Sequence, residues 1–413
     1  MRGPGLAFRP RRGDIAMKLR KAWFGILAAV CVAVASACSS SSSTSANTAA
    51  STSPSTAASA QPASSASGGG VTQAKAQIAT LLTEPVSIPS TAALPSAPKK
   101  GIKVAFLTCS AAACSLLNPG FTAAARALGW DPTVITYNSA TPGQAVQQAI
   151  DAGYKYIATT SITLSTITPQ VQEAKAKGVA LFGAYTDDTP SGVQNGLYGV
   201  AQNGAGDLKT GAMMADWLIA NSGGHANAVY VDIPLYPSLV GQGQGAQAEF
   251  SKLCTGCAFA TLPVSVTQLG AGQVPAAIVA YLRSHPSVNY VYLSFQDLDA
   301  GVAAAIRAAG LAGKVKIVGT EGEASQLQEV VNGQETMWSV LPEPYVMWVV
   351  VDWMARLSEG VLTPASLSAT DEGVAFIVDT PAKASAQLSA NGGNWPGPAD
   401  YQSQFEKLWH VGS

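Results

Sequence analysis

The chain has 413 residues, 47% of them hydrophobic, 12% charged and 7% aromatic, with 40 Gly, 24 Pro, 6 Cys and a net charge of −1. Charge this low, without a basic stripe, argues against nucleic acid as a partner, because phosphate binding depends on clustered Lys and Arg. The roughly 340 residues that follow a leader are too many for one core and about right for two domains.

Residues 1–37 read as an export signal. Met17-Lys18-Leu19-Arg20-Lys21 is a basic start, followed by an apolar run from Ala22 to Val34 and then Ala35-Ser36-Ala37-Cys38. Met17 is a second candidate start. Thirteen apolar residues fall short of the roughly 20 a permanent span needs, so the segment is expected to be removed. Without residues 1–37, 17 basic residues stand against 24 acidic ones, a net charge of −7. Small residues before Cys38 are similar to a bacterial lipobox, which makes Cys38 a candidate for lipidation and membrane anchoring, although Ala35 stands where Leu is usual. The alternative is an ordinary signal cleaved after Ala37. Residues 39–70 contain only small or polar uncharged residues and are expected to form a disordered tether spanning about 30 Å. Residues 71–100 read as a lead-in along the domain surface, with a helix from Val71 to Leu82 and then a Pro-rich extended stretch.

From Gly101, short apolar strands alternate with amphipathic helices. Strands are expected at Ile102–Leu107, Thr133–Tyr137, Tyr156–Thr159 and Val179–Phe182, with helices at Phe121–Leu128, Pro142–Ala152 and Thr168–Lys177. The pattern restarts with helix Asp207–Ala220, strand Ala228–Ile233, helix Gly245–Leu253 and strand Phe259–Val264. Helix Val274–Ser284, strand Tyr290–Leu293, helix Gly301–Ala309 and strand Val315–Val318 follow. Helix Ala324–Asn332, strand Thr336–Val340 and helix Tyr345–Leu357 complete it. Such alternation implies parallel sheets covered on both faces, so the fold class is α/β with two doubly wound lobes. Ligands bind such sheets beyond the carboxyl ends of the strands, which places a site in the cleft between lobes.

Cys109, Cys114, Cys254 and Cys257 remain in the exported portion. Outside the cytoplasm two close pairs oxidise, and disulfides Cys109–Cys114 and Cys254–Cys257 are expected. A zinc site would need the pairs to meet, and no His flanks either one. A redox CxxC would open a helix after a strand, whereas Cys254 and Cys257 follow a helix and precede a strand.

Catalytic and cofactor motifs are not found: there is no G-x-S-x-G, H-E-x-x-H or G-K-[ST] pattern, and no enzyme activity, cofactor or metal is expected. Gly241-Gln242-Gly243-Gln244-Gly245 is only superficially a phosphate loop, since it lacks Lys and stands apart from the preceding strand. The acid pairs Asp187-Asp188 and Glu321 with Glu323 could serve acid/base chemistry but read more simply as solvated. The strand ends carry more information. Tyr185-Thr186-Asp187, Tyr236, Phe295-Gln296-Asp297 and Glu321 combine rings with amides and carboxylates, a mixture that suits a polyhydroxylated ligand. Asp297 has an alternative use as the cap of helix Ala300–Ala309.

The segments His285-Pro286-Ser287-Val288-Asn289-Tyr290-Val291-Tyr292, Gln296-Asp297, Gly301-Val302-Ala303-Ala304-Ala305-Ile306 and Val318-Gly319-Thr320-Glu321-Gly322 resemble the ribose-type periplasmic binding proteins, the solute-binding components of sugar ABC importers. The resemblance covers roughly residues 101–379. It implies the type I periplasmic-binding-protein fold, with lobe 1 at 101–202 and 341–370, lobe 2 at 203–340 and 371–413, and hinge crossings near Gln202-Asn203, Val340-Leu341 and Ala369-Thr370. The tail after Pro381, with Trp395 and Trp409, is expected to wrap the second lobe. Carried over by position, Gln296 matches a hydrogen-bond donor to sugar hydroxyls and Glu321 an acidic ligand residue. Ala111–Cys114 takes the place of a loop of stacking aromatics, and Tyr185-Thr186 that of an Asp-Arg clamp. A second ligand Arg falls near Val240 and is missing, which puts ribose itself in doubt and favours a less polar solute, a polyol or an aromatic compound. The candidate ligand set is Ser110, Ala111, Ser115, Tyr185, Thr186, Asp187, Tyr236, Phe295, Gln296, Asp297, Glu321 and Trp338. The implied protein is a monomeric, lipid-anchored extracytoplasmic binder that passes a small solute to an ABC permease. The competing implication is a sensor ectodomain without a transport role.

Overall fold

The computed structural model describes residues 64–363 and 373–412. The leader, Cys38, most of the tether and the expected crossing at Ala369-Thr370 lie outside the described residues. The first described element corrects the expected tether boundary. Helix α1, Ser64–Ile78, begins inside that stretch and is followed by a 3-10 turn at Ala79–Leu82. It is not a surface lead-in alone, because Ala74 and Ile78 are buried and Gln77 donates hydrogen bonds to Asp216 and Glu249 at 2.6 and 3.1 Å.

The first sheet contains β1 Lys103–Thr108, β2 Asp131–Thr136, β3 Tyr156–Thr160, β4 Ala180–Thr186 and β5 Leu197–Asn203. Its order is β2-β1-β3-β4-β5, and every pairing is parallel. Alternation along β1 sends Val104 and Phe106 to one face and Ala105 and Leu107 to the other, as the two-residue period of a strand requires. The connecting helices are α2 Ala112–Ser115, α3 Leu117–Ala127, α4 Pro142–Asp151 and α5 Thr168–Lys177. Phe121 of α3 shares a core with Phe106, and Val146 and Ile150 of α4 share one with Leu107.

The chain leaves this sheet at Asn203, whose side chain caps α6, Gly204–Ser222, by accepting from the Ala205 and Gly206 amides. The second sheet contains β6 Asn227–Asp232, β7 Ala258–Pro263, β8 Tyr290–Leu293, β9 Lys316–Gly319, β10 Met337–Val340 and β11 Phe376–Val378. It runs β7-β6-β8-β9-β10-β11, parallel except for β11 against β10. Both sheets therefore wind alike, with the second strand on one side of the first and the later strands on the other. Helices α7 Pro237–Leu253, α8 Val266–Gly270, α9 Val274–Ser284, α10 Val302–Ala308, α11 Ala324–Val331 and α12 Glu343–Ser358 follow in order, then α13 Pro381–Asn391 and α14 Tyr401–Leu408. Val229 and Val231 pack toward α9 and α10, and Ala228 and Tyr230 toward α6 and α7. Helix α12 returns to the first sheet, where Tyr345, Trp348 and Trp353 join its core.

Several expectations need correction. Strand β5 was not anticipated. Helix α7 starts at Pro237 rather than Gly245, so the glycine-rich segment lies within it and is no phosphate loop. Its glycines permit close approach to α6: a Cβ on Gly245 would lie 2.1 Å from the Leu208 carbonyl oxygen, and one on Gly211 1.9 Å from that of Gln242. The tail does not stay with the second sheet. Trp395 packs there, but Tyr401, Phe405 and Trp409 join the first core, with Trp409 stacked on Trp348 at 5.3 Å and donating to Asp352 at 2.6 Å. A buried indole N–H usually finds an acceptor, and Asp352 supplies that of Trp409 on the α12 side.

Backbone cannot yield as a side chain can. Gly245→Ala is therefore expected to cost about 1–3 kcal/mol, read as a lower denaturant midpoint. An unchanged midpoint would refute the tight α6–α7 contact.

Candidate functional site

The carboxyl ends of both sheets converge on one cavity. From the first sheet, Cys109 follows β1, Thr160 and Ser161 close β3, and Tyr185 sits at the end of β4. From the second, Tyr236, Ser238 and Leu239 follow β6, Phe295 follows β8 and Glu321 follows β9. In each sheet the central pair, β1/β3 and β6/β8, flanks the point where the winding reverses, the position at which open α/β sheets bind ligands. Backbone conformation marks the same places. Ser161, Tyr185, Gln202 and Glu321 hold φ of 55°, 57°, 50° and 61°, a left-handed region that costs a non-glycine residue about 1–3 kcal/mol unless its surroundings impose it.

The disulfides form as expected: Cys109–Cys114 ties the end of β1 to α2 at the cavity wall, and Cys254–Cys257 closes the turn from α7 to β7. Of the candidate ligand residues, Ala111, Tyr185, Tyr236, Phe295 and Glu321 line the cavity. Ser110 and Asp297 line an adjoining space with Ala111 and Tyr236, while Ser115 and Gln296 line another with Glu321 and Glu343. Asp297 does not cap α10, which has no side-chain cap. The Ala113 backbone amide, from the opposite rim, instead favours its carboxylate, which burial pushes up.

Three residues do not line these spaces. Thr186 is buried and donates to Asp188 at 3.1 Å, and Asp187 is exposed on the following loop. Trp338 is fully buried because β10 is an interior strand, paired to β9 and β11. Its indole donates to Glu335 at 2.6 Å and lies close against Gly319 and Gly322. Sequence reasoning missed Glu343, Ser161 and Ser238. The signal for Glu343 was there: it lies three residues beyond β10, in the strand-end position already applied to four other strands.

The cavity wall carries carbon and rings from Leu117, Leu239, Tyr185, Tyr236 and Phe295, with Glu321 and Glu343 as its charged groups. Tyr185 donates to Glu343 Oε2 at 2.7 Å. Burial raises the Glu343 carboxyl to about 7, the Tyr185 bond pulls it down, and Glu323 adds repulsion. Glu321 is pushed well above the usual carboxylate range, first by burial and then by Glu343, Asp207, Asp297 and Glu323. Among the described residues, no Lys, Arg or His lines the cavity or the two adjoining spaces.

Residues 108–361 match the model of the periplasmic binding protein domain family. The chain belongs to this family. No curated protein matches it in sequence. Among solved periplasmic binding proteins, similar folds include the 5-methylthioribose transporter solute-binding protein from Thermotoga lettingae, in complex with 5-methylthioribose. That match has a TM-score of 0.60 and 17% identity, over 76% of this chain and 99% of that one. A carbohydrate transporter protein from Acidothermus cellulolyticus, in complex with myo-inositol, gives 0.59 and 19%, over 71% and 99%. A sugar ABC transporter protein from Yersinia enterocolitica gives 0.61 and 17%, over 78% and 99%. These likenesses establish the shared two-lobe architecture of periplasmic binding proteins.

A proton held by Glu343 links stability to pH. Between about 4.5 and 7 the folded protein keeps a proton that the unfolded chain releases, so this contribution is complete below the unfolded value and is lost as pH rises through 7. Asp216 and Asp232, raised by burial to about 7 and about 6, act in the same direction. The melting temperature is expected to fall from pH 5 to pH 8, and Glu343→Gln to make that fall shallower. A melting temperature that rises across this range would contradict the protonation assignment.

Proposed function

We propose that the chain is an extracytoplasmic solute-binding protein that captures a small sugar, polyol or related solute between its lobes and delivers it to an ABC permease. The carrying observation is a cavity lined by strand ends of both sheets, where a solute would touch both lobes at once. Family membership supports the class, and the 5-methylthioribose and myo-inositol in two solved relatives support a solute of monosaccharide size. Tyr185, Tyr236 and Phe295 offer faces to C–H surfaces, while Gln296, Asp297, Glu321 and Glu343 offer acceptors. Ala111 lines the cavity, and Ser110 and Ser115 line the adjoining spaces.

In this reading the segments near Gln202-Asn203, Val340-Leu341 and Ala369-Thr370 form the hinge between the lobes. Residues 1–37 direct export, Cys38 carries the lipid and the stretch before α1 is the tether. Ligand contacts on both rims shift the lobes toward closure, since only differential affinity moves such an equilibrium.

Thermal-shift screening of pentoses, hexoses, polyols and aromatic compounds tests the reading. A solute at 100 times its dissociation constant adds about 2.7 kcal/mol of stability, and the solute that gives the largest shift should also reduce the radius of gyration in solution scattering. A tight solute that leaves the radius unchanged would sink the closing-cleft mechanism.

A further inference from the structure

We infer that the solute carries a positive charge on nitrogen: it is a small organic ammonium compound, seated with its cationic group between Glu321 and Glu343. This rests on the cleft being the binding site and concerns which solute it selects.

A buried, unpaired acceptor beside two acids points to a donor-rich guest. Glu321 is 9% exposed and lines the cavity with Glu343. Gln296, 5% exposed, donates through its Nε2 to Glu323 at 2.8 Å and leaves its Oε1 buried without a partner. An acceptor stripped of water and left unpaired is costly, and such atoms persist at a site where a ligand supplies the donor. Hydroxyls could satisfy one acceptor each, but they would not offset charge.

Charge selects among donors. The groups that act on Glu321 are Glu343 at the start of α12, Asp207 of α6, and Asp297 and Glu323 of the second-sheet loops, all acidic. Tyr185 of β4 and Tyr292 of β8 lie close enough for Glu321 to raise both phenols. The amino terminus of α7 is the positive feature nearby, and its Leu239 and Val240 amides are already taken by the Tyr236 carbonyl. The positions at which the ribose-type resemblance places an arginine hold Tyr185-Thr186 and Val240 here. An ammonium group would provide that missing charge, and the faces of Tyr185, Tyr236 and Phe295 suit its carbon-bearing side through cation–π attraction.

The experiment compares matched pairs. Glucosamine, galactosamine and choline are titrated beside glucose, galactose and myo-inositol, with melting temperature and calorimetric heat as readouts. Stabilisation by the ammonium compounds is expected, with affinity rising from pH 5 to pH 7.5 as the carboxyls ionise. At pH 6 binding should release protons, seen as heat that varies with the buffer's ionisation enthalpy. Glu321→Gln should weaken ammonium binding on the order of 100-fold while raising the melting temperature of the protein without added solute at pH 7, because folding no longer has to protonate a carboxyl that burial and its acidic neighbours keep from ionising. A residue with only a structural role would lower that temperature.

Neutral sugars that bind as tightly as their amino counterparts, without proton release, would overturn the inference and leave the solute-binding reading standing. So would an ammonium response that survives Glu321→Gln. Silence from both series, with an unchanged scattering radius, would overturn both readings.

Discussion

A parallel strand covered on both faces can offer a solute little besides its carboxyl end. In this protein the constraint operates twice, because β1 to β5 and β6 to β10 wind in the same order and each sheet is enclosed by helices. Residues along the strands, such as Phe106 or Val231, are committed to the cores. Those just beyond, such as Ser161, Phe295 and Glu321, are free for chemistry. The left-handed backbone at Ser161, Tyr185 and Glu321 fits this division, since it departs from regular strand geometry at these strand ends.

The helical layers are as demanding as the sheets. Helices α6 and α7 meet through glycines, and α1 lies against them, with a Cβ on Gly70 placed 1.9 Å from the Leu253 carbonyl oxygen. From there the chain runs to the other core. Glu84 accepts from Trp395 and Gln387 near α13, whereas Leu94 pairs with Leu408, and Arg356 of α12 donates to Ser90 and Ala92. The lead-in and the tail thus bind one another as they pass from the second sheet to the first, adding connections to those expected between the lobes.

The regular elements were legible because burial on both faces produces strong apolar runs. Helices Thr168–Lys177 and Val274–Ser284 and strand Tyr290–Leu293 match their expected bounds to the residue. Strand β5 was hidden by its connection: residues 187–196 join it to a parallel neighbour without the helix that marks the other crossovers. Gly241 to Gly245 disguised the start of α7, because glycine's low helix propensity is overridden by packing that only glycine allows. The disulfides and four cavity-lining residues, Tyr185, Tyr236, Phe295 and Glu321, could be read from spacing and strand ends, whereas Ala111 came through the family resemblance. Trp338 could not be placed, because an aromatic at a strand end and one inside the sheet look alike until pairing is known. Trp409 needed the third dimension as well, since its partners Trp348 and Asp352 lie far away in sequence.

Electrostatics joins the two rims. Glu321 belongs to the second sheet and Glu343 to the helix packed on the first, and burial raises both carboxyls, with Glu343 repelling Glu321 and Glu323 repelling Glu343. Bringing the rims together therefore has an opposing term that grows as water leaves, because Coulomb repulsion strengthens in low dielectric. Protons can relieve it, and so can a donor from a guest. The proton route leaves two neutral acids that discriminate weakly among hydroxylated solutes. A cation relieves the repulsion while both acids remain charged, so its binding and the approach of the lobes would favour each other, and a neutral guest would gain less. On the proposed reading selectivity and closure would share one cause: carboxylates from two rims that no described Lys, Arg or His of the cavity lining offsets.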